Sequence, residues 1–184
     1  QTLFINGHLA PSLSLARRAW RLRLLNGSNA RTYALALIDP DALSAGSGRV
    51  WYSDLLRLIG SEGGLLSYSV APASTGALLL ACAQRRDLVL DLSALPAAVQ
   101  RLRLVNLSLR DQEAEDDHNA EAIFTTDENS VRYPGSEAFS TQDQALYDAL
   151  SRNIARIADV TLTAAPAGIT APTPAALDAV LASA

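Results

Sequence analysis

An alternation of arginine and leucine is the feature that most limits what this chain can fold into. The tetrapeptide Arg-Leu-Arg-Leu occurs at residues 21–24 and again at residues 101–104. Successive side chains of a β-strand point to opposite faces, so Leu22 and Leu24 point away from the arginines beside them. Each copy therefore predicts a strand with its leucines on a core and its arginines in water, as in an antiparallel sandwich.

Short apolar runs cut by Gly, Asn, Pro and Ser extend this pattern from residue 2 to residue 108. Asn26-Gly27 follows the first copy and predicts a turn, because both residues tolerate positive φ. Further strands are predicted at residues 3–5, 33–37, 55–60, 65–70, 78–81 and 87–92. About seven or eight short strands at this spacing indicate an all-β sandwich or barrel. Between them, a stretch rich in Ser, Gly and Asp, residues 40–54, is predicted to be a loop that carries Trp51 and Tyr52.

The composition changes after residue 109. Residues 110–140 begin with an acidic stretch that is poor in apolar residues, which is typical of a solvated linker. A helix is predicted over residues 142–158, because a capping box precedes apolar residues at helical spacing: Thr141 and Gln144, then Leu146, Leu150, Ile154 and Ile157.

A second helix is predicted near the end of the chain. Thr173 is its expected N-cap and Pro174 its first residue, and one side of it carries Leu177, Val180 and Leu181. We therefore expect a domain at residues 1–109, a linker at 110–140, and a helical or extended connection toward a further domain at 141–184. The chain is expected to be a piece of a longer polypeptide.

Composition excludes several classes of function. The formal net charge is −4, and the 15 cationic residues, all arginine, are scattered, so no electrostatic grip on nucleic acid is expected. The longest apolar run, residues 77–83, is far shorter than the roughly 20 residues of a membrane-spanning helix. No Gly-x-Ser-x-Gly elbow is present, and the glycine-rich residues 60–64 lack the lysine of a phosphate-binding loop.

Four motifs, taken in order, resemble the second cupredoxin domain of laccase-like multicopper oxidases. They are Asn6-Gly7 followed by Pro11, the stretch Arg21 to Arg31, Gly-Ser-Glu-Gly-Gly at residues 60–64, and Cys-Ala-Gln-Arg-Arg-Asp at residues 82–87. Glu62, Cys82 and Gln84 depart from the Asp, Pro and Glu that are usual in the family. The resemblance covers roughly residues 2–108.

The resemblance implies a cupredoxin-like Greek-key β-sandwich, followed by a linker that carries one or two helices. It also implies an enzyme that removes single electrons from phenolic, aminophenolic or metal-ion substrates and reduces O₂ to water at copper. Its copper ligands would lie in neighbouring cupredoxin domains of the same polypeptide, so no catalytic residue is expected in this chain. A secreted or periplasmic location is implied as well. The motif positions expected to be structural and polar are Asn26, Asn29, Arg31, Arg85 and Asp87.

The histidine and cysteine content bears on copper directly. A type 1 copper site needs two His and one Cys, and a trinuclear cluster needs many more histidines. The chain has only His8, His118 and Cys82, and no Met. It therefore cannot carry the oxidase chemistry alone. No metal site is expected, and the one weak candidate is His118 with Asp116 and Asp117.

Two other interpretations stay open. A copper-free relative of the same architecture would be a scaffold or a cell-envelope interaction protein. A freestanding β-sandwich binding module would use Trp51 and Tyr52 to contact a ligand.

Overall fold

Two β-sheets form the body of the fold. The computed structural model describes residues 4–29, 31–72, 77–106, 126–127, 130–131, 156–168 and 173–183. Its strands are β1 (Phe4–Ile5), β2 (His8–Leu9), β3 (Ser12–Ala16), β4 (Ala19–Leu25), β5 (Tyr33–Ile38), β6 (Leu56–Ser61), β7 (Gly64–Val70), β8 (Leu78–Leu80), β9 (Arg85–Asp91), β10 (Arg101–Asn106), β11 (Thr126–Asp127), β12 (Ser130–Val131) and β13 (Arg156–Thr163). Its helices are α1 (Pro40–Ala45) and α2 (Pro174–Ala182).

The first sheet has five strands in the order β3-β13-β10-β5-β8, and the second has four in the order β4-β9-β6-β7. All pairs are antiparallel except β13 with β3, where Val160 lies beside Leu13. Strands β1 and β2 pair with each other, as do β11 and β12. This is the all-β, cupredoxin-like sandwich that was expected, and a helix follows it near the C-terminus.

The core lies between the two sheets, which both supply leucines to it. Leu37 and Leu102 come from the first sheet and Leu88 from the second, and all three are at most 2% exposed. The leucines of both Arg-Leu-Arg-Leu copies pack on this core, as predicted: Leu22, Leu24, Leu102 and Leu104. Arg21, Arg23 and Arg101 are exposed, also as predicted. Arg103 differs from the prediction, because its side chain is only 15% exposed and is paired with Asp159.

Strand β13 corrects the predicted organisation of the C-terminal segment. Residues 156–158 were assigned to the end of a helix over 142–158, but they begin a strand that pairs with both β10 and β3. Its buried residues are Ile157, Ala158, Val160 and Leu162. Residues 142–155 lie outside the described residues. The sandwich therefore takes a strand from the segment that was assigned to a connection beyond residue 140.

The loop predicted at residues 40–54 contains a helix. The carboxylate of Asp39 caps α1 by accepting hydrogen bonds from the backbone N–H groups of Asp41 and Ala42, at 2.8 and 3.1 Å. The helix ends at Gly46, whose φ of 62° suits a residue without Cβ. A 3-10 turn, Ser53–Leu55, then leads into β6. The Asp-Pro pair at the start of this stretch carried the helix signal that the sequence prediction missed.

Helix α2 begins as predicted, and its apolar face differs from the prediction in one residue. Thr173 Oγ1 accepts from the backbone N–H of Ala176 at 3.2 Å, and Pro174 is the first helical residue. Leu181 is buried, but Val180 is 65% exposed, so it does not belong to the packed side. The helix covers the edge strand β7. Within the described ranges, no helix is long and apolar enough to cross a membrane.

Candidate functional site

The residues singled out by the motifs lie in two segments, the loop that follows β4 and the start of β9. Asn26 follows β4 and is 2% exposed. Its Nδ2 donates to the carbonyl oxygens of Arg31 and Leu80 at 2.6 and 2.9 Å, and its Oδ1 accepts from the backbone N–H and hydroxyl of Ser28 at 2.9 and 2.6 Å. We call these four residues the Asn26 network. It ties the end of β4 to the next loop and to the first sheet.

The other motif residues of this loop contribute less through their side chains. Arg31 is half-buried, and its carbonyl oxygen also accepts from the Ser28 hydroxyl at 3.0 Å and from the Cys82 thiol at 3.4 Å. No ion pair of its guanidinium occurs among the described residues. Asn29 is exposed. At this motif position the contacts are therefore made by the backbone carbonyl of Arg31 and not by its guanidinium.

The two acidic or amide positions that depart from the family pattern still make polar contacts. Glu62 accepts from the backbone N–H and the guanidinium of Arg85, and the backbone N–H is the main cause of its lowered carboxyl pKa. Gln84 Oε1 accepts from the backbone N–H of Ala81 and from the guanidinium of Arg86, both at 2.9 Å. Glu62 therefore joins the turn between β6 and β7 to the start of β9, and Gln84 holds the turn between β8 and β9.

Asp87 is held by an arginine from the neighbouring strand. Both of its carboxylate oxygens accept from the Arg21 guanidinium, at 2.9 and 2.5 Å, and this hydrogen bonding lowers the pKa of Asp87. The positive charge of Arg23, its partner across the strands, lowers that pKa further. The side chain of Arg21 is 55% exposed, so the pair lies at the surface, not in the interior. Such a pair stabilises a fold much less than a buried one.

A groove of about 380 Å³ opens beside these charges, where the ends of β4 and β6 meet the start of β9. We call it the arginine groove. It is lined by Arg23, Leu24, Leu25, Ser61, Arg85, Arg86 and Asp87. Its side chains can bind an anion by hydrogen bonds and charge, but they include no nucleophile with a neighbouring general base.

Sequence reasoning missed an arginine whose partners are all carbonyl oxygens. Arg17 lies between β3 and β4, and its guanidinium donates to Leu95, Pro96, Ala97 and Val99 in the loop between β9 and β10. Carbonyl oxygens belong to every residue type, so no side-chain pattern marks them as partners.

Two further polar clusters also escaped prediction. Asp178 of α2 accepts from the backbone N–H and the hydroxyl of Ser69 in β7, at 2.8 and 2.5 Å, and Arg57 donates to that hydroxyl at 3.0 Å. On the first sheet, Asp159 accepts from Arg103 at 2.7 Å and lies 3.1 Å from Arg156. Both clusters join segments that are far apart in sequence.

The described residues do not fit a copper centre. They contain no group of three or more His, Cys, Asp or Glu side chains able to hold a metal ion. His8 is exposed in β2, whose partner β1 contacts β13, while Cys82 follows β8 at the far edge of the first sheet. Three strand spacings of roughly 4.8 Å separate β13 from β8. His118, Asp116 and Asp117 lie outside the described residues.

The two aromatic residues of the loop before β6 do not form a recognition surface. Tyr52 is 3% exposed and belongs to the core, and the Arg49 guanidinium lies 4.4 Å from its ring centre. Burial raises the pKa of its hydroxyl. Trp51 is half-buried and forms a backbone bridge with Ile38. Tyr52 therefore supports the fold, and this weighs against a binding module that relies on the pair.

Comparison with known proteins places this fold among multicopper oxidases. No protein-family model matches the chain. It is 34% identical over 102 residues to the multicopper oxidase LPR1 homolog 5 of Oryza sativa, covering 55% of this chain and 14% of that protein. It is 41% identical over 92 residues to the cell division protein FtsP of Xenorhabdus nematophila, covering 50% of this chain and 16% of that protein. It is 35% identical over 94 residues to the laccase of Bacillus subtilis, covering 51% of this chain and 15% of that protein.

The fold is similar to that of solved multicopper oxidases. The McoA multicopper oxidase of Aquifex aeolicus matches with a TM-score of 0.55 and 21% identity, over 92% of this chain and 26% of that one. In every case the chain spans a small part of its relative, about one quarter at most.

Proposed function

We propose that the chain is a copper-free structural domain, the middle domain of a laccase-like enzyme, because about half of it is 34–35% identical to a multicopper oxidase and to a laccase. The similarity to about 15% of the length of a laccase supports the size of a single domain. The observation that carries the proposal is the ligand content of the sequence, which has two His, one Cys and no Met. That set is too small for a type 1 site together with a trinuclear cluster.

In the complete enzyme, four one-electron oxidations of a phenolic, aminophenolic or metal-ion substrate would supply four electrons to O₂. With four protons, these electrons form two molecules of water. Copper bound by neighbouring cupredoxin domains would carry out this chemistry, and those domains are the partners that we propose for this chain. We also propose a secreted or periplasmic location, as the family relationship implies.

The role of this chain would be to hold its neighbours at fixed positions. A spacer must resist deformation, and the polar contacts described above join loops and strands that are distant in sequence. Asn26 joins the end of β4 to β8, and Asp178 joins the C-terminal helix to β7. A satisfied buried amide such as that of Asn26 favours a single arrangement of the backbone around it.

A second function has its own support. Several relatives are named cell division protein FtsP, and one of these has the highest identity of the three relatives compared, 41%. A copper-free scaffold or cell-envelope interaction protein of the same architecture is therefore the alternative that we propose.

One experiment separates the two functions. The product of the complete gene is purified, and its copper content and its O₂ uptake with a phenolic substrate are measured. Bound copper and O₂ uptake, together with His-x-His pairs before this segment and a His-Cys-His stretch after it, support the oxidase. A copper-free, inactive product without those stretches refutes the oxidase and supports the scaffold. Copper bound by the 184-residue chain alone would refute the copper-free role.

A further inference from the structure

The first sheet has a second buried surface, on the side that faces away from the core. In β5, Leu35 and Leu37 belong to the core, so the residues that alternate with them point to the opposite side. Val105 of β10 pairs with one of these residues and points the same way. We call this apolar set the outer strip: Ala34, Ala36, Ile38 and Val105. Each member is at most 2% exposed, so polypeptide covers a face that an antiparallel sandwich commonly leaves in water.

Two described parts of the chain lie at one end of the outer strip. Trp51 pairs with Ile38, and its side chain therefore lies on the same side of the sheet. Helix α1 begins two residues after Ile38, and its Asp41 pairs with Arg101, which lies two residues beyond the partner of Ile38 in β10. Ala34 is four residues back along β5, about 13 Å from that end. Another part of the protein therefore covers the Ala34 end.

The segment between β10 and β13 starts and finishes beside the outer strip. It leaves the sheet after Asn106, the residue that follows Val105, and it returns at Arg156, which pairs with Val105. Residues 107–155 lie outside the described residues, except 126–127 and 130–131. Both ends of the segment are thus fixed on the sheet that carries the outer strip.

The last part of this segment has an apolar face of suitable length. The sequence predicts a helix there, and one side of that helix carries Leu146, Leu150 and Ile154. Twelve residues of helix are about 18 Å long, which exceeds the roughly 13 Å from Ile38 to Ala34. An amphipathic helix is stabilised mainly by burying such a face against a partner surface.

We propose that residues 142–155 form an amphipathic helix that packs Leu146, Leu150 and Ile154 on the outer strip of the first sheet. The segment then covers the sandwich, and the neighbouring domains proposed above contact other surfaces. The contact needs neither copper nor a partner, so its test is independent of the proposed function.

Thiol accessibility tests the contact in the full 184-residue chain. In a Cys82→Ser background, Val105→Cys places a thiol on the outer strip, and Leu79→Cys places one on the same side of β8, where the side chain is 51% exposed. The thiol from Val105→Cys should react with a maleimide at least about tenfold more slowly than the thiol from Leu79→Cys. Adding Leu150→Asp should raise the slower rate at least about tenfold, because an unpaired carboxylate opposes burial.

The matched control is Ala145→Asp. It adds the same charge on the opposite side of the predicted helix, so the reaction rate should stay unchanged. Urea unfolding of each variant verifies that the chain remains folded.

A spin label locates the helix independently and decides the matter if Leu150→Asp does not fold. The label is attached through Asp148→Cys, on the polar side of the predicted helix, in the same background. It should broaden the amide NMR signals of Ala34 and Ala36 more than that of Val89, because β9 lies in the other sheet, about 10 Å further away.

Three results would overturn the proposal. Fast reaction of the thiol from Val105→Cys in the otherwise unchanged chain would show that the outer strip is open. A slow reaction that Leu150→Asp leaves unchanged, in a folded variant, would show that a second copy or another part of the chain covers it. Stronger broadening of Val89 than of Ala34 would place the segment on the second sheet.

Discussion

Arg17 offers the sharpest test of how the sandwich is held together. Its guanidinium donates to Leu95 and Pro96 at 3.1 and 3.2 Å, to Ala97 at 3.5 Å, and closely to Val99. The loop that supplies these carbonyl oxygens also places Leu95 and Val99 in the core, at 8% and 6% exposure. Arg17→Met keeps the hydrocarbon part of the side chain and removes only the guanidinium.

The expected loss of stability follows from the burial of these bonds. A hydrogen bond to a charged group contributes about 1.5–3 kcal/mol net when it is shielded, and the bonds to Leu95 and Val99 are the partly buried ones. The other two acceptors are exposed, so water replaces the guanidinium there at little cost. We expect a loss of about 3 kcal/mol, at the lower end of the sum, because water also reaches the partly buried acceptors. Arg17→Lys keeps the charge but loses the fork, so about half of this loss is expected.

Urea unfolding measures this loss. At a slope of about 2 kcal/mol per molar urea, the midpoint for Arg17→Met should fall by about 1.5 M with the slope unchanged. The control is Arg101→Met, since Arg101 is 54% exposed and pairs only at the surface, and its cost should stay below about 1 kcal/mol. A loss for Arg17→Met no greater than that of the control would refute the reasoning.

The remaining predictions concern three other polar contacts and strand β13. Asn26→Asp keeps the acceptor and loses both donors, so we expect about 3 kcal/mol of destabilisation by urea unfolding, at least as much as for Asn26→Ala. Asp87→Ala should cost about 1 kcal/mol in the same assay, because its arginine partner is half exposed, and a loss of 3 kcal/mol or more would indicate a buried pair. The pKa of Asp178 is lowered from 3.8, so its contact with β7 stabilises the docked helix above that pH and is lost as pH falls through the lowered value. Amide protection of β7, corrected for intrinsic exchange, should fall as pH is lowered through and below 3.8, and Asp178→Ala should weaken that dependence. Deleting residues 110–184 removes β13 with three buried large apolar side chains, each contributing about 1.5–3 kcal/mol, and should leave no cooperative unfolding transition.

Strands with a single buried face were predictable from sequence. In β4 and β10 every second side chain meets the core, so the period of two is visible without knowing the partner strands. Strand β3 carries the same alternation in Ser-Leu-Ser-Leu, and the signal was present although no strand was predicted there. Strand β2 has two residues, which is too short to show any period.

The motifs identified which residues make polar contacts, but they did not identify the hydrogen-bond or ion-pair partners of those residues. Asn26, Arg85 and Asp87 all make polar contacts, yet Glu62, the partner of Arg85, and Arg21, the partner of Asp87, were not assigned from sequence. Pairing across a sheet depends on register, which spacing along the chain does not reveal. Arg17 was beyond prediction for a different reason, because all its acceptors are backbone atoms.

Strand β13 belongs to the first sheet although it follows the predicted linker. The curated relatives match about half of this chain, whereas the solved structure of McoA matches 92% of it, so the fold extends further than recognisable sequence similarity. In space, β13 lies between β10 and β3, and Asp159 contacts Arg103 from 56 residues away. Helix α2, which follows it, is fastened to β7 by Asp178. Because the chain returns to one sheet and then docks on the other, any polypeptide after α2 starts from a fixed point on the sandwich. A spacer between two domains requires that property, and it would be lost if residues 141–184 were a free connection.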